Sequence, residues 1–172
     1  MTLIFDLETT GLLRRGSQLH CIVARGMGDD RSPVVYDNDP DRSLDMGVEH
    51  LRRSDCLVGH NIIGFDIPML KELYDFDFQG DLVDTLVLSR IFYPNIIDRD
   101  YERRPAGMPP KLYGRHSLEA WGYRLKCFKG DYGKHDGCWD RYTPEMLDYC
   151  IQDTEVTVRL YELMQRRMND YA

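Results

Sequence analysis

Three short apolar runs, separated only by turn signals, lie within the first 37 residues of the chain. Residues 2–7 predict a buried strand, the run from Leu19 predicts a second strand, and the run from Pro33 predicts a short third one. Glycine beside serine or aspartate marks the turns between them. Strands this closely spaced indicate an antiparallel meander at the start of a sheet.

Strand and helix patterns alternate after the meander. We predict strands at 56–61 and at the start of 81–92, and helices over 41–53, 66–76, the rest of 81–92, 116–125 and 143 to about 167. Residues 93–114, rich in proline and glycine, and the segment that leads to Tyr142 are predicted to be loops. This order predicts an α/β fold with a mixed sheet, and 172 residues fit one domain, 1–172.

Composition gives no sign of a membrane or secreted protein. No apolar run approaches the ~20 residues that a membrane helix needs, and the N-terminus lacks the layout of a signal peptide. The five cysteines are odd in number and widely spaced, which argues against a disulfide framework and matches no usual zinc pattern. We therefore expect a cytoplasmic protein (in the host cytoplasm if it is viral) with no membrane partner.

The charge is unevenly distributed along the chain. The net charge is −7, but residues 101–134 hold eight cations against three acids, so this stretch carries +5 and the remainder carries −12. Aromatic residues interleave with these cations, a pattern that suits binding of a single nucleic-acid strand. Arg103, Arg104 and Lys111 are the candidate strand contacts. The alternative is a solvated loop whose aromatic side chains cover the core.

Two acids end the first predicted strand. Side chains alternate along a strand, so Asp6 and Glu8 share one face while Leu7 points to the other. Both carboxylates are ionised at neutral pH, and their repulsion calls for compensation. A hard divalent cation with oxygen ligands would supply it, whereas two surface acids at a strand exit would need none.

Two later patches carry further acids. Asp66 opens a predicted helix just after a strand and a turn that contains Asn61. Tyr149 and Asp153 are four residues apart in the last helix and therefore lie on one face, which continues through an inward-facing apolar stripe. An aspartate on the core side needs a partner, and a cation shared with Asp6 and Glu8 would provide one.

The ordered set D-x-E, N-x4-D and Y-x3-D resembles the tyrosine subgroup of the DEDD 3′–5′ exonucleases. The stretches DTLVLSR, HSLEAWGYRL and KGDY are similar to the proofreading exonuclease domain of podophage family-A DNA polymerases. The resemblance runs from Leu3 to about Leu163. It implies a ribonuclease-H-like (DnaQ-like) mixed sheet flanked by helices.

The resemblance also implies roles for individual residues. Two divalent cations, Mg²⁺ or Mn²⁺, would be held by Asp6, Glu8, Asp66 and Asp153, with Asp6 shared between them. Tyr149 would orient the attacking water. Thr9 and Leu12 would receive the 3′-terminal nucleotide of a single DNA strand, and Asn61 would fix the neighbouring loop or the strand backbone. Asp84 is expected to be mainly structural, and His116 is expected to cap its helix.

Three hypotheses remain open on the sequence alone. The leading one is a 3′–5′ exodeoxyribonuclease, either stand-alone or a proofreading subunit whose partner is a separate DNA polymerase. The second is an exoribonuclease of the same superfamily. The third is a non-catalytic module that binds a polymerase or a nucleic-acid strand.

Overall fold

A computed structural model describes residues 1–11, 16–28, 30–127, 132 and 137–170. Its sheet has five strands in the order β3-β2-β1-β4-β5: β1 (Thr2–Thr9), β2 (Leu19–Gly26), β3 (Val34–Tyr36), β4 (Cys56–Gly59) and β5 (Asp81–Asp84). β2 pairs antiparallel with β1 and β3, whereas β4 runs parallel to β1 and β5. The predicted meander and mixed α/β sheet are therefore confirmed.

The described helices are α1 (Leu44–Arg52), α2 (Asp66–Tyr74), α3 (Thr85–Phe92), α4 (Ile96–Arg103), α5 (Leu118–Arg124) and α6 (Pro144–Asp170). Short 3₁₀ turns occupy Pro40–Arg42 and Pro110–Leu112. The start of α6 follows the predicted pattern, because the Thr143 hydroxyl accepts a hydrogen bond from the Met146 N–H and proline fills the first helical position.

The prediction of a loop over 93–114 was wrong, because α4 lies within it. Proline residues flank this helix instead of interrupting it. Its buried face contains Ile96 and Asp100, and the Asp100 carboxylate binds the Arg124 guanidinium at 2.7 Å. Tertiary contacts therefore stabilise a helix whose own sequence is mostly polar.

The two faces of the sheet are covered by different helices. Odd-numbered residues of β1, such as Leu3 and Phe5, pack with α1 and α2 residues in the larger core. Even-numbered Ile4 packs with Val158 and Tyr161 of α6 on the other face. Asp6 and Glu8 therefore point towards the side of the sheet that α6 covers.

A second apolar cluster joins α3, α4, α5 and α6, with Trp121 and Leu160 among its buried members. In the described parts of the chain, no helix combines the length and the low charge of a membrane-spanning segment.

Candidate functional site

Two acids of strand β1, Asp6 and Glu8, lie on the face of the sheet that α6 covers. Asp6 pairs in register with Val23 and Glu8 with Cys21, and the register shifts directly after Glu8. Glu8 and Thr9 are buried and Asp6 is partly buried. The bulge ends regular pairing where the chain turns, which leaves both carboxylates at the rim of the sheet.

Helix α6 brings Cys150 to these two acids. The Cys150 thiol donates a hydrogen bond to Asp6 Oδ2 across 3.4 Å, and ligand atoms of Asp6, Glu8 and Cys150 all lie within 4.8 Å of one another. Burial raises the pKa of Cys150, and a hydrogen bond with Cys21 and the negative charges nearby raise it further. The sulfur therefore stays a thiol donor, a contact that the sequence did not suggest.

Asp66 occupies the first position of α2 and is only 3% exposed. Burial raises its pKa to about 7; the negative charges of Asp84 and Asp153 also raise it, while hydrogen bonds with the backbone of Asp66 and Leu7 oppose the rise. These interactions place the Asp66 carboxylate beside the backbone of β1 and close to Asp153. Its Oδ1 accepts no hydrogen bond from any described residue.

Asp153 is 4% exposed and lies on the inward face of α6. It lines the same cavity as Asp6. Acids from β1, α2 and α6 therefore lie close together: Asp153 shares a cavity with Asp6, and its charge acts on Asp66. The role of Asp6, Glu8, Asp66 and Asp153 as metal ligands stays a prediction.

The turn after β4 depends on close packing and on one buried acid. A side chain on Gly59 would lie 2.2 Å from Ile62 and 3.0 Å from the Phe5 carbonyl oxygen, so only glycine fits there. Asn61 has a φ of 66°, in the left-handed region that asparagine tolerates better than most residues. The Asp84 carboxylate accepts hydrogen bonds from the N–H groups of Asn61, Ile63 and Leu86. The structure thus gives Asp84 the structural role expected for it.

We expect Asp84→Asn to lower the free energy of unfolding by about 2–3 kcal/mol. The variant would keep Oδ1 as an acceptor but place an N–H₂ group against the Ile63 N–H, leaving two donors facing each other. The measurement is urea denaturation at pH 5, which lies below the pKa of Asp66. Asp66 is then mostly neutral, so the variant gains no stability from the removal of a charge beside it. Asp81→Asn, at the exposed start of the same strand, is the matched control, and equal stabilities of the two variants would contradict the prediction.

A cavity of about 560 Å³, called here the site cavity, contains Asp6, Asp153 and Asn61. Its other polar walls are His60, Arg90, Arg115, His116 and Ser117. Arg90 and Arg115 were not predicted: Arg90 lies outside the basic stretch, and only the packing of α3 against α6 brings it to the acids. The cavity therefore combines a negative floor with positive walls.

Two histidines in this cavity are held in one tautomer. The Ser89 hydroxyl donates to the Leu86 carbonyl oxygen, so it must accept from His116 Nδ1. In the same way, the Thr85 hydroxyl donates to the Gly59 carbonyl oxygen and accepts from His60 Nδ1. When neutral, each ring therefore keeps its Nε2 lone pair as a hydrogen-bond acceptor.

His116 does not cap its helix as predicted. Ser117 does so, since its hydroxyl accepts from the Ala120 N–H. Burial lowers the pKa of His116, and the charges of Arg124 and Arg90 lower it further. The ring is thus predominantly neutral at pH 7.

Tyr149 is partly buried one turn before Asp153 on α6. Its ring lies 5.8 Å from the ring of Tyr132 and 5.9 Å from that of Trp139. The Tyr132 hydroxyl donates to the Cys138 carbonyl oxygen, which ties this aromatic cluster to the segment before α6. Neighbouring rings therefore restrict the orientation of the Tyr149 side chain.

The remaining predicted substrate contacts fall into three groups. The Thr9 hydroxyl donates to the Gly11 carbonyl oxygen and shapes the turn after β1, while Leu12 lies outside the described residues. Arg103 and Arg104 line a different cavity, next to α5. Lys111 lies in the 3₁₀ turn and is not among the residues that line the site cavity.

The site has the donor set of a hard divalent cation. Its acidic side chains offer carboxylate oxygens, burial and the neighbouring charges raise the pKa of Asp66, and Asp66 Oδ1 accepts no hydrogen bond from a described residue. Oxygen ligands outnumber the sulfur of Cys150 here, which fits a hard cation such as Mg²⁺ or Mn²⁺.

The chain matches no family model. It is 33% identical to the DNA-directed DNA polymerase of Enterobacteria phage T3 and 32% identical to that of Escherichia phage T7. Each match extends over 182 residues and covers 93% of this chain but 26% of the polymerase. The chain therefore spans about a quarter of the length of these relatives.

Solved structures share the fold at lower identity. Brucella melitensis NrnC superposes with a TM-score of 0.68 at 16% identity, over 98% of this chain and 74% of NrnC, and a form of NrnC with bound Mg²⁺ gives 0.65. The zinc-bound complex of Escherichia coli ExoI with single-stranded DNA gives 0.55 at 16% identity, over 99% of this chain and 42% of ExoI.

Proposed function

Because the chain belongs to the DEDD family of 3′–5′ exonucleases, we propose that it hydrolyses the 3′-terminal phosphodiester bond of single-stranded DNA and releases nucleoside monophosphates. The observation that carries the proposal is the convergence of acids from β1, α2 and α6 at a cavity whose walls are cationic. Acids alone would repel a phosphodiester. The arrangement therefore suits a phosphodiester that binds together with metal cations.

In this proposal Asp6, Glu8, Asp66 and Asp153 hold two divalent cations. When bound, the cations supply an activated water and neutralise charge on the departing oxygen. The family resemblance suggests the number of ions, and the form of NrnC with bound Mg²⁺ supports the class of metal. The protein side chains fix the position of the oxygen ligands before substrate arrives.

The other residues of the cavity position the reactants. Tyr149 orients the attacking water, since a phenol of pKa ~10 is a weak base but a good hydrogen-bond partner. Arg90 and Arg115 contact strand phosphates near the acids, and Asn61 fixes the loop or the strand backbone beside them. Thr9 and Leu12 receive the terminal nucleotide. Arg103, Arg104 and Lys111 contact the strand farther from its 3′ end.

The relatives support a role in phage DNA replication. The T3 and T7 proteins are DNA polymerases, which supports proofreading as the function, with a DNA polymerase as the partner. A stand-alone exonuclease would need the same site but no such partner.

RNA is the second candidate substrate. His116, whose Nε2 is an acceptor when the ring is neutral, lines the site cavity, and a 2′-hydroxyl is a donor that only RNA offers. The rates of hydrolysis of a DNA strand and an RNA strand with the same base sequence would distinguish the two substrates.

We expect the protein to release mononucleotides from a 3′-labelled DNA strand in Mg²⁺ or Mn²⁺ and to shorten a 5′-labelled strand stepwise. A circular single strand should remain intact, because it offers no end, and EDTA should stop the reaction. A matched RNA strand in the same assay gives the sugar preference. Cleavage of the circle, release from the 5′ end, or full activity in EDTA would reject the proposal.

A further inference from the structure

A second cavity, of about 630 Å³, lies between α4, α5 and the C-terminal part of α6; we call it the basic cavity. It shares none of its lining residues with the site cavity. Among the described residues, one acid, Asp100, lines it, and that acid is bound to Arg124. The cations that line it are Arg99, Arg103, Arg104, Arg124, Lys126 and Arg167.

Aromatic rings hold three of these guanidinium groups in place. Arg99 and Arg167 lie over the ring of Tyr93, with 4.9 and 5.4 Å from guanidinium carbon to ring centroid. Arg124 lies 4.9 Å over the ring of Trp121. Stacking leaves the edge of a guanidinium group, where its N–H donors are, available to a planar or tetrahedral oxyanion. Because arginines cover these rings, the cavity suits a phosphate better than a stacked base.

Two residues that line this cavity, Trp121 and Arg124, each have a buried donor without an acceptor among the described residues. Trp121 is 3% exposed, and its Nε1 donates to no described residue. The Arg124 side chain is 9% exposed; it binds Asp100 through Nε and Nη2, and its Nη1 donates to no described residue. Buried donors are normally satisfied, so this pair suits an added oxygen acceptor such as that of a phosphate.

We propose that the basic cavity is a phosphate-binding site, which receives a backbone phosphate of the single strand whose 3′ end lies in the site cavity. Helix α5 connects the two places: Ser117 and Leu118 line the site cavity, and Trp121, Tyr123 and Arg124 line the basic cavity, three to seven residues or ~5–10 Å farther along the helix. The assignment of the phosphate to a strand rests on the proposed function, whereas the phosphate site itself does not.

The test uses the indole N–H resonances of the two tryptophans in a ¹⁵N-labelled protein with EDTA present. Trp121 reports on the basic cavity, and Trp139, beside Tyr149, is the internal control; Trp121→Phe assigns the peaks. Inorganic phosphate should shift the Trp121 peak saturably and leave the Trp139 peak in place. Chloride at the same ionic strength should shift neither.

The variant Arg103→Gln/Lys126→Asn should weaken this phosphate binding by roughly tenfold, because two of the lining charges are lost. Both positions are exposed, and asparagine tolerates the left-handed φ of 55° at residue 126, so the fold should persist. Arg53→Gln/Lys71→Gln, which removes two exposed cations from the α1–α2 side, should bind phosphate as the parent does. A Trp121 peak that phosphate does not move, or a shift unaffected by the first variant, would overturn the phosphate site.

Oligothymidylate and thymidine monophosphate distinguish the source of the phosphate. With Ca²⁺ in place of EDTA, which gives the acids a hard cation, the oligonucleotide should shift the Trp121 peak at lower concentration, because its 3′ end is bound at the same time in the site cavity. A response to the mononucleotide but not to the oligonucleotide would reject the strand and leave a free-phosphate site. A protein that binds phosphate here but releases no nucleotides would reject the exonuclease proposal alone.

Discussion

Asp153→Ala is expected to reduce the release of nucleotides from a 3′-labelled single strand by at least about a thousandfold, or ~4 kcal/mol of activation free energy. Asp153 lines the site cavity with Asp6, and its charge acts on Asp66. Without it, the remaining acids would hold a cation less tightly and in an altered position. Asp6→Ala should have an effect of the same order, since Asp6 lines the same cavity and lies within reach of Glu8.

Asp170→Asn is the matched control for Asp153→Ala. Asp170 ends the same helix, ~25 Å away, and its closest described cation is Arg167 at 4.0 Å. The control should retain the activity of the parent, and both variants should melt cooperatively. An Asp153→Ala protein that is folded and fully active would show that the acids do not form the catalytic centre.

Asp66→Asn is expected to stabilise the metal-free protein at pH 8 by up to about 4 kcal/mol, which corresponds to roughly 10 °C in Tm. The pKa of this carboxyl group rises from 3.8 to about 7 on folding. Ionisation is therefore easier in the unfolded chain, and the parent loses stability as the pH rises between these two values. Below about pH 3 the carboxyl group is mostly protonated in both states, so the parent and the variant should converge.

Added Mg²⁺ provides the second half of this experiment. It should stabilise the parent at pH 8 by mass action, and it should stabilise Asp66→Asn less, because one ligand oxygen has lost its charge. Asp75→Asn, at the left-handed C-cap of the same helix, is the control and should follow the parent under all conditions. If Asp66→Asn kept the pH dependence of the parent between pH 4 and 8, the raised pKa of Asp66, which burial and the charges of Asp84 and Asp153 cause, would be disproved.

The sequence predicted those parts of the molecule that depend on local periodicity. Alternation along β1 placed Asp6 and Glu8 on one face, and the four-residue spacing on α6 placed Asp153 on the buried side. Helix α4 was missed because its polar sequence becomes helical through a distant ion pair between Asp100 and Arg124. Local propensity carries no information about such a partner.

The walls of the site were harder to predict than its floor. Arg90 lies on α3, in a segment whose pattern predicts only a strand followed by a helix. The tautomers of His60 and His116 are set by hydroxyl groups that are 25 and 27 residues away in sequence. The basic stretch was recognised by composition, but composition could not show that Arg115 lies beside the acids while Arg103 and Arg104 line another cavity. Side-chain positions of this kind follow from how helices pack, which the spacing of residues does not encode.

Helix α6 packs directly on β1, β2 and β4, and it also carries Tyr149, Cys150 and Asp153. The acidic centre is therefore shared between the central strand and the longest described helix, the elements that open last when a domain fluctuates. Amide hydrogen exchange at Asp153 should then proceed only through complete unfolding. The free energy of opening measured there should equal that measured in the middle of β1. We therefore expect the part of the acidic centre carried by β1 and α6 to keep its arrangement until the whole domain unfolds.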